Sequence, residues 1–187
     1  MAWAGRLCIN FEGANLTRVA AATMLVSAAA AAVPALAANR FSDWTEIHHP
    51  RRGFMIAYPS GVFSPTAGAA NEDGQVLVSR DGNAKLLVGA FDNSADFSLQ
   101  AYRDYLLRES YSGAKLDYER MKNRWFVISG TRDGTMFYER VSFTCGGKLV
   151  NSWAMLYPVA ERHFYDRVVE AIAPTYSPGA GATGRCD

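Results

Sequence analysis

The chain has 187 residues, 49% hydrophobic and 20% charged, with a formal net charge of +1. That balance is globular and excludes both a disordered chain and a strongly basic nucleic-acid binder. It gives no reason to expect an anionic membrane surface as partner.

In chain order, Arg18 is followed by an Ala-rich apolar run from Val19 to Val33, then Pro34-Ala35-Leu36-Ala37-Ala38, an A-x-A cleavage pattern. Residues 1–37 therefore read as a secretory signal peptide, cut after Ala37 or Ala38. The run is too short to span a bilayer, and no transmembrane segment follows. No Cys follows the cleavage site, so no lipid anchor is expected. The lead before Arg18 is long and carries Glu12, which leaves the translation start open. Segment 1–37 removes Arg6, Arg18 and Glu12 from the totals of 19 basic and 18 acidic residues, leaving 17 of each. The expected location is periplasmic or extracellular.

Residues 38–176 read as one domain. Trp44 to His48 alternates like an edge strand, and His49 to Gly53 is a turn. Phe54 to Tyr58 is a strand stopped by Pro59-Ser60-Gly61. Val62-Phe63 should pack beneath a polar loop from Ser64 to Gly74. Gln75 to Arg80 and Lys85 to Phe91 flank an Asp81-Gly82-Asn83 hairpin turn. Ser98 reads as the N-cap of a helix ending near Gly113, with Leu99, Tyr102, Tyr105 and Leu106 on one side. Leu116 to Met121 is a strand turning at Lys122-Asn123. The run Arg120, Lys122, Arg124 reads as a solvated strand face.

Three strands follow, Trp125 to Arg132, Thr135 to Cys145 and Lys148 to Tyr157, joined by Asp133-Gly134 and Gly146-Gly147. Such pairs supply positive φ for type I′ hairpins. Counting outward from Arg132 facing Thr135 and Cys145 facing Lys148 sets the register. Phe126, Ile128, Gly130, Phe137, Glu139, Val141, Phe143, Cys145, Val150, Ser152, Ala154 and Leu156 then share a core-facing side. The other side carries Val127, Ser129, Tyr138, Arg140, Ser142, Asn151, Trp153 and Met155. It is amphipathic: either something covers it or something binds there. A second helix, about Glu161 to Ala173, should bury Phe164, Val168, Ala171 and Ile172 and end at Pro174. Residues 177–187 form a Gly/Pro-rich tail expected to be flexible. Strands joined by short hairpins, interrupted by two helices, make an α+β fold with a central antiparallel sheet.

Gly53-Phe54-Met55-Ile56-Ala57-Tyr58-Pro59-Ser60-Gly61-Val62-Phe63 resembles the opening motif of PsbP-like domains, and the order of elements over residues 44–174 fits that family. The resemblance implies an α-β-α fold with helices flanking the sheet. The family includes an extrinsic photosystem II subunit, a Ran-binding nuclear import factor and exported bacterial proteins. It implies an accessory or binding role and carries no catalytic residues across.

The chemistry-bearing residues are few. Phosphate loops, G-x-S-x-G, C-x-x-C and H-E-x-x-H are all missing from the sequence. Adjacent His48 and His49 point to opposite strand faces and cannot easily share a metal, and His163 starts a helix. No metal or cofactor is expected. Glu139 offends its apolar face. A bulge could turn it outward, an Arg or Tyr could pair it structurally, or it could serve as a functional acid in a pocket. Tyr138, Arg140, Asn151 and Trp153 gather as a candidate binding patch, with a cation–π contact beneath a helix or loop as the plainer account. Cys8 leaves with the signal, so Cys145 and Cys186 are a candidate disulfide in an exported chain. The expectation is an exported, non-enzymatic accessory or protein-binding domain of the bacterial cell envelope. The alternative is a small-molecule carrier with a pocket between sheet and helix. A hydrolase comes third, because no nucleophile–base set is visible.

Overall fold

A computed structural model describes residues 41, 43–66 and 73–186. The expected signal peptide and its cleavage site lie outside the described residues, as does part of the Ser64–Gly74 loop.

Seven strands form one antiparallel sheet: β3 (Phe63–Pro65), β4 (Gly74–Ser79), β5 (Lys85–Asp92), β6 (Lys115–Lys122), β7 (Trp125–Arg132), β8 (Thr135–Thr144) and β9 (Leu149–Pro158). Their spatial order is β3-β4-β5-β9-β8-β7-β6. The preceding β1 (Trp44–His48) and β2 (Met55–Pro59) pair with each other as a separate two-stranded sheet, and Met55 also bridges to Ser177. Helix α1 (Leu99–Glu109) links β5 to β6, and α2 (Arg162–Ile172) follows β9. This is the expected α+β class, with a helix on each face of the sheet. Phe63 does more than pack under a loop: it opens the short edge strand β3, opposite Ser79.

The hairpins set the register as the turn residues predict. Asp133 and Gly134 adopt φ of 49° and 77°, and Arg132 faces Thr135. Gly146 and Gly147 adopt 66° and 92°, and Lys148 N–H donates to the Cys145 carbonyl at 3.2 Å. Positive φ at both central positions is what the type I′ turn demands and what glycine tolerates.

Two cores result, one on each face. Phe126, Ile128, Phe137, Val141, Phe143, Val150 and Leu156 pack beneath Tyr102 and Leu106 of α1. Ser98 caps that helix, its side chain accepting from Ala101 N–H at 3.1 Å. On the other face Leu77, Leu86, Val88, Met136, Trp153, Met155 and Tyr157 pack beneath α2 and the β2 side chains Ile56 and Tyr58. The buried stripe of α2 is Tyr165, Val168, Val169 and Ile172. That is a rotation from the expected stripe: Tyr165 and Val169 replace Phe164 and Ala171. The short turn Val159–Glu161 between Pro158 and α2 sets the helix's rotational phase, and it has no sequence signature of its own.

The C-terminal residues are a strap rather than a free tail. Thr175 Oγ1 accepts from Ala57 N–H at 3.0 Å. Met55 and Ser177 exchange two backbone hydrogen bonds at 2.9 Å each. Gly179 lies so close to the Arg52–Phe54 backbone that a methyl there would collide with the Arg52 carbonyl oxygen. Gly181 N–H reaches the Arg52 carbonyl at 3.1 Å. Cys186 closes a disulfide to Cys145 across a separation of 41 residues. The described part of the segment expected to be a flexible tail, residues 177–186, is thus tied by backbone bonds to Met55 and Arg52 and by the disulfide to Cys145. Arg52 anchors the same corner through Asp73 (2.6 Å) and Asp92 (2.8 Å).

Candidate functional site

The four residues of the candidate patch do share a face, and Arg140 stands directly opposite Trp153. The strap then divides them. Asn151 and Trp153 are both 0% exposed. Asn151 Oδ1 accepts from Gly179 N–H at 2.7 Å, and its Nδ2 donates to Thr144 Oγ1 at 2.9 Å and the Gly179 carbonyl at 3.3 Å. The Trp153 ring lies 4.9 Å from Tyr138 and 6.2 Å from Tyr176. These two residues are structural, and their assignment to a binding surface is corrected. They occupy the strip where α2 and the strap close over the sheet.

Tyr138 and Arg140 remain half-buried, at the border where that cover stops. Beyond it β7 and β6 present an open strip on the same face. Lys122 faces Trp125, Arg120 faces Val127 and Tyr118 faces Ser129. Tyr118 is 50% exposed, and Arg120 and Lys122 are exposed as well. Trp125 is the centre of the strip. The Arg140 guanidinium sits 5.1 Å and the Arg120 guanidinium 5.9 Å from its ring centroid. Arg140 also lies 5.8 Å from the Tyr176 ring, so two aromatic rings hold it. The cation–π contact expected between Arg140 and its cross-strand neighbour is made instead with Trp125 and Tyr176.

The electrostatics of this border are donor-rich. Arg140 Nε, Trp153 Nε1, Ser142 Oγ and Tyr176 Oη are buried with no hydrogen-bond partner among the described residues. Burial pushes the Tyr176 phenol well above its ordinary value, partly offset by Arg140. Tyr138 is raised for the same reason, again opposed by Arg140. The sequence reading missed Trp125, Tyr118, Arg120 and Tyr176 as site residues. The signal lay in the alternation of Arg120 and Lys122: one more strand of register puts both on the face of Arg140.

Glu139 faces inward and is paired. It is 2% exposed and sits between Ile128 and Ala154, with no bulge in β8. Tyr111 Oη donates to its Oε2 at 2.6 Å and Ser152 Oγ to its Oε1 at 2.7 Å. Burial holds the carboxyl above its ordinary value, and the two hydroxyls oppose that rise. Tyr111 in turn stacks on Phe137 at 4.0 Å. This is a closed carboxyl–hydroxyl cluster under α1, on the opposite side of the sheet from the Trp125 strip.

His48 Nε2 meets Glu46 at 3.1 Å, and His49 Nδ1 accepts from Arg52 N–H at 3.1 Å. Among the described residues, no group of three or more His, Cys, Asp or Glu is placed to hold a metal ion. Among them, too, no helix is long and apolar enough to cross a membrane.

No family model and no curated protein match the chain. Solved structures do. Cyanobacterial PsbP from Synechocystis sp. PCC 6803 is similar at 12% identity and a TM-score of 0.53, covering 80% of this chain and 98% of its own. The Ran-binding protein Mog1p of Saccharomyces cerevisiae is similar at 8% identity and a TM-score of 0.56, covering 73% of this chain and 95% of its own. The fold is PsbP-like.

Proposed function

We propose that this chain is an exported, non-enzymatic accessory domain of the bacterial cell envelope that binds a protein partner through the Trp125 strip. The observation that carries the reading is Trp125, half-buried between Arg120 and Arg140 beside exposed Tyr118. Trp, Tyr and Arg are the side chains that most often anchor protein interfaces. A similar fold serves a Ran-binding protein, which supports a docking role by analogy of fold. The space between the sheet and α2 is packed by Trp153, Met155, Val168 and Ile172, which favours surface docking over a carrier's internal pocket. The Cys145–Cys186 disulfide supports export, since such bonds persist in oxidising compartments.

The test places a photo-crosslinking amino acid at Tyr118 in residues 38–187 and irradiates the protein in an envelope extract. A discrete adduct that disappears with Trp125→Ala is the expected result. An adduct pattern unchanged by Trp125→Ala overturns the reading.

A further inference from the structure

Four arginines among the described residues are half-buried: Arg52, Arg103, Arg132 and Arg140. Three of them reach carboxylates. Arg52 meets Asp73 and Asp92, Arg103 meets Asp104 and Glu119, and Arg132 meets Asp133. Arg140 has no carboxylate and no hydrogen-bond acceptor among the described residues, and its Nε is fully shielded from solvent. A guanidinium in that state has given up part of its hydration without a counter-charge. It is nevertheless held in place, between Trp125 and Tyr176. Stacking on rings fixes the guanidinium plane, and with Nε shielded it is the two Nη groups that a planar, two-oxygen acceptor would meet.

The surroundings have the same bias. The strip positions Tyr118, Arg120, Lys122, Trp125, Val127, Ser129, Tyr138 and Arg140 include three cations and no acid. Of the two acids of β6, one is turned away and the other lies at the strip's end. Glu119 faces Ile128 on the opposite side and pairs with Arg103, and Asp117 sits at the bulge within electrostatic reach of Arg162. Tyr176 Oη, whose ring contacts Arg140, adds a further donor without an acceptor.

We propose that the Trp125 strip receives an acidic segment of a partner protein, with Arg140 taking a side-chain carboxylate and Arg120 and Lys122 taking its neighbours. The proposal rests on the docking reading and narrows it to a partner class. An acidic peptide is favoured over nucleic acid because the strip carries three cations within two adjacent cross-strand rows, Arg120 and Arg140 in one and Lys122 in the next. Residues 38–187, strip included, carry 17 basic and 17 acidic groups, so the chain has no wider basic footprint.

The experiment uses residues 38–187 and four probes: a fluorescent ten-residue Glu-Gly repeat, its Gln-Gly counterpart, single-stranded DNA of matched charge, and free glutamate. The Glu-Gly peptide should bind, the Gln-Gly peptide at least tenfold more weakly, and affinity should fall as salt rises. Arg140→Gln should weaken the Glu-Gly peptide about tenfold or more, while Arg108→Gln, on exposed α1, should leave it unchanged. Arg120→Gln gives the same reading from an exposed position if Arg140→Gln fails to fold. Equal binding of both peptides, tighter binding of DNA, or binding of free glutamate as tightly as the peptide overturns the proposal. If the Tyr118 adduct still forms and depends on Trp125 but the Glu-Gly peptide does not compete with it, docking stands and the acidic partner falls.

Discussion

Glu139 is held by two hydroxyls and by no cation, so its charge has little to offset burial. Its proton is bound more tightly in the folded chain than in the unfolded one, because burial raises the folded value above the ordinary 4.5. The stability linked to that group is therefore fully present below about pH 4.5 and is lost as pH rises through the raised folded value. Glu139→Gln removes this dependence. Its stability relative to the parent should climb between pH 4.5 and pH 7.5 in urea titrations, and a pH-independent difference would contradict the assignment. Glu139→Ala should cost about 2–4 kcal/mol, since it strands the Tyr111 and Ser152 hydroxyls without an acceptor. The position of Glu139 was legible in the sequence because two glycine-bearing turns fix the register of its strand. Its partner Tyr111 was not: the sequence ran the helix to near Gly113, whereas α1 ends at Glu109 and leaves Tyr111 in the turn beyond it.

The strap is the element whose role was hardest to read. A run of Gly, Pro and Ala carries no hydrophobic period, and its partners Met55, Asn151 and Arg52 are far away in sequence. Hairpins, by contrast, are written locally, and β7, β8 and β9 fell within a residue or two of their expected bounds. The disulfide was legible through cysteine count and the expected compartment rather than through geometry. Thiol titration of the unreduced, denatured 38–187 protein should find none, and two per chain would refute the bridge. Replacing both cysteines by serine should lower stability by up to about 4 kcal/mol, the chain-entropy value for a loop of 41 residues. The backbone bonds of the strap to β2 should keep the native near-ultraviolet spectrum in that variant. The same remoteness explains the misread patch: the sequence put Asn151 and Trp153 on the right face but could not show that the strap crosses it.

At the scale of the molecule, one sheet carries two cores, and neither helix can leave without exposing its own face of the same strands. The chain should therefore unfold as a unit. Leu106→Ala beneath α1 and Ile172→Ala beneath α2 should each cost about 3 kcal/mol and shift a single common transition in near- and far-ultraviolet circular dichroism. Two separated transitions in either variant would show that the faces are independent. Fold class was legible because short hairpins enforce antiparallel pairing. The isolation of β1 and β2 from the main sheet was not, since Pro59-Ser60-Gly61 marks an end and says nothing of which sheet comes next. Export belongs to this scale too. Mass spectrometry of the cellular protein should find an N-terminus near Ala38, and a cytoplasmic form retaining residues 1–37 would contradict it.

The bond between Cys186 and Cys145 also decides how the chain would carry load. Tension applied at the C-terminus passes directly into the end of β8, bypassing β9, α2 and the strap, which all lie inside the closed loop. Those 41 residues, about 140 Å of chain at full extension, are mechanically silent while the bond is intact. Under such tension β8 is loaded while β9, α2 and the strap stay shielded until the bond is reduced. Stretched between its ends in optical tweezers, the oxidised protein should come up short by that length and recover it on reduction.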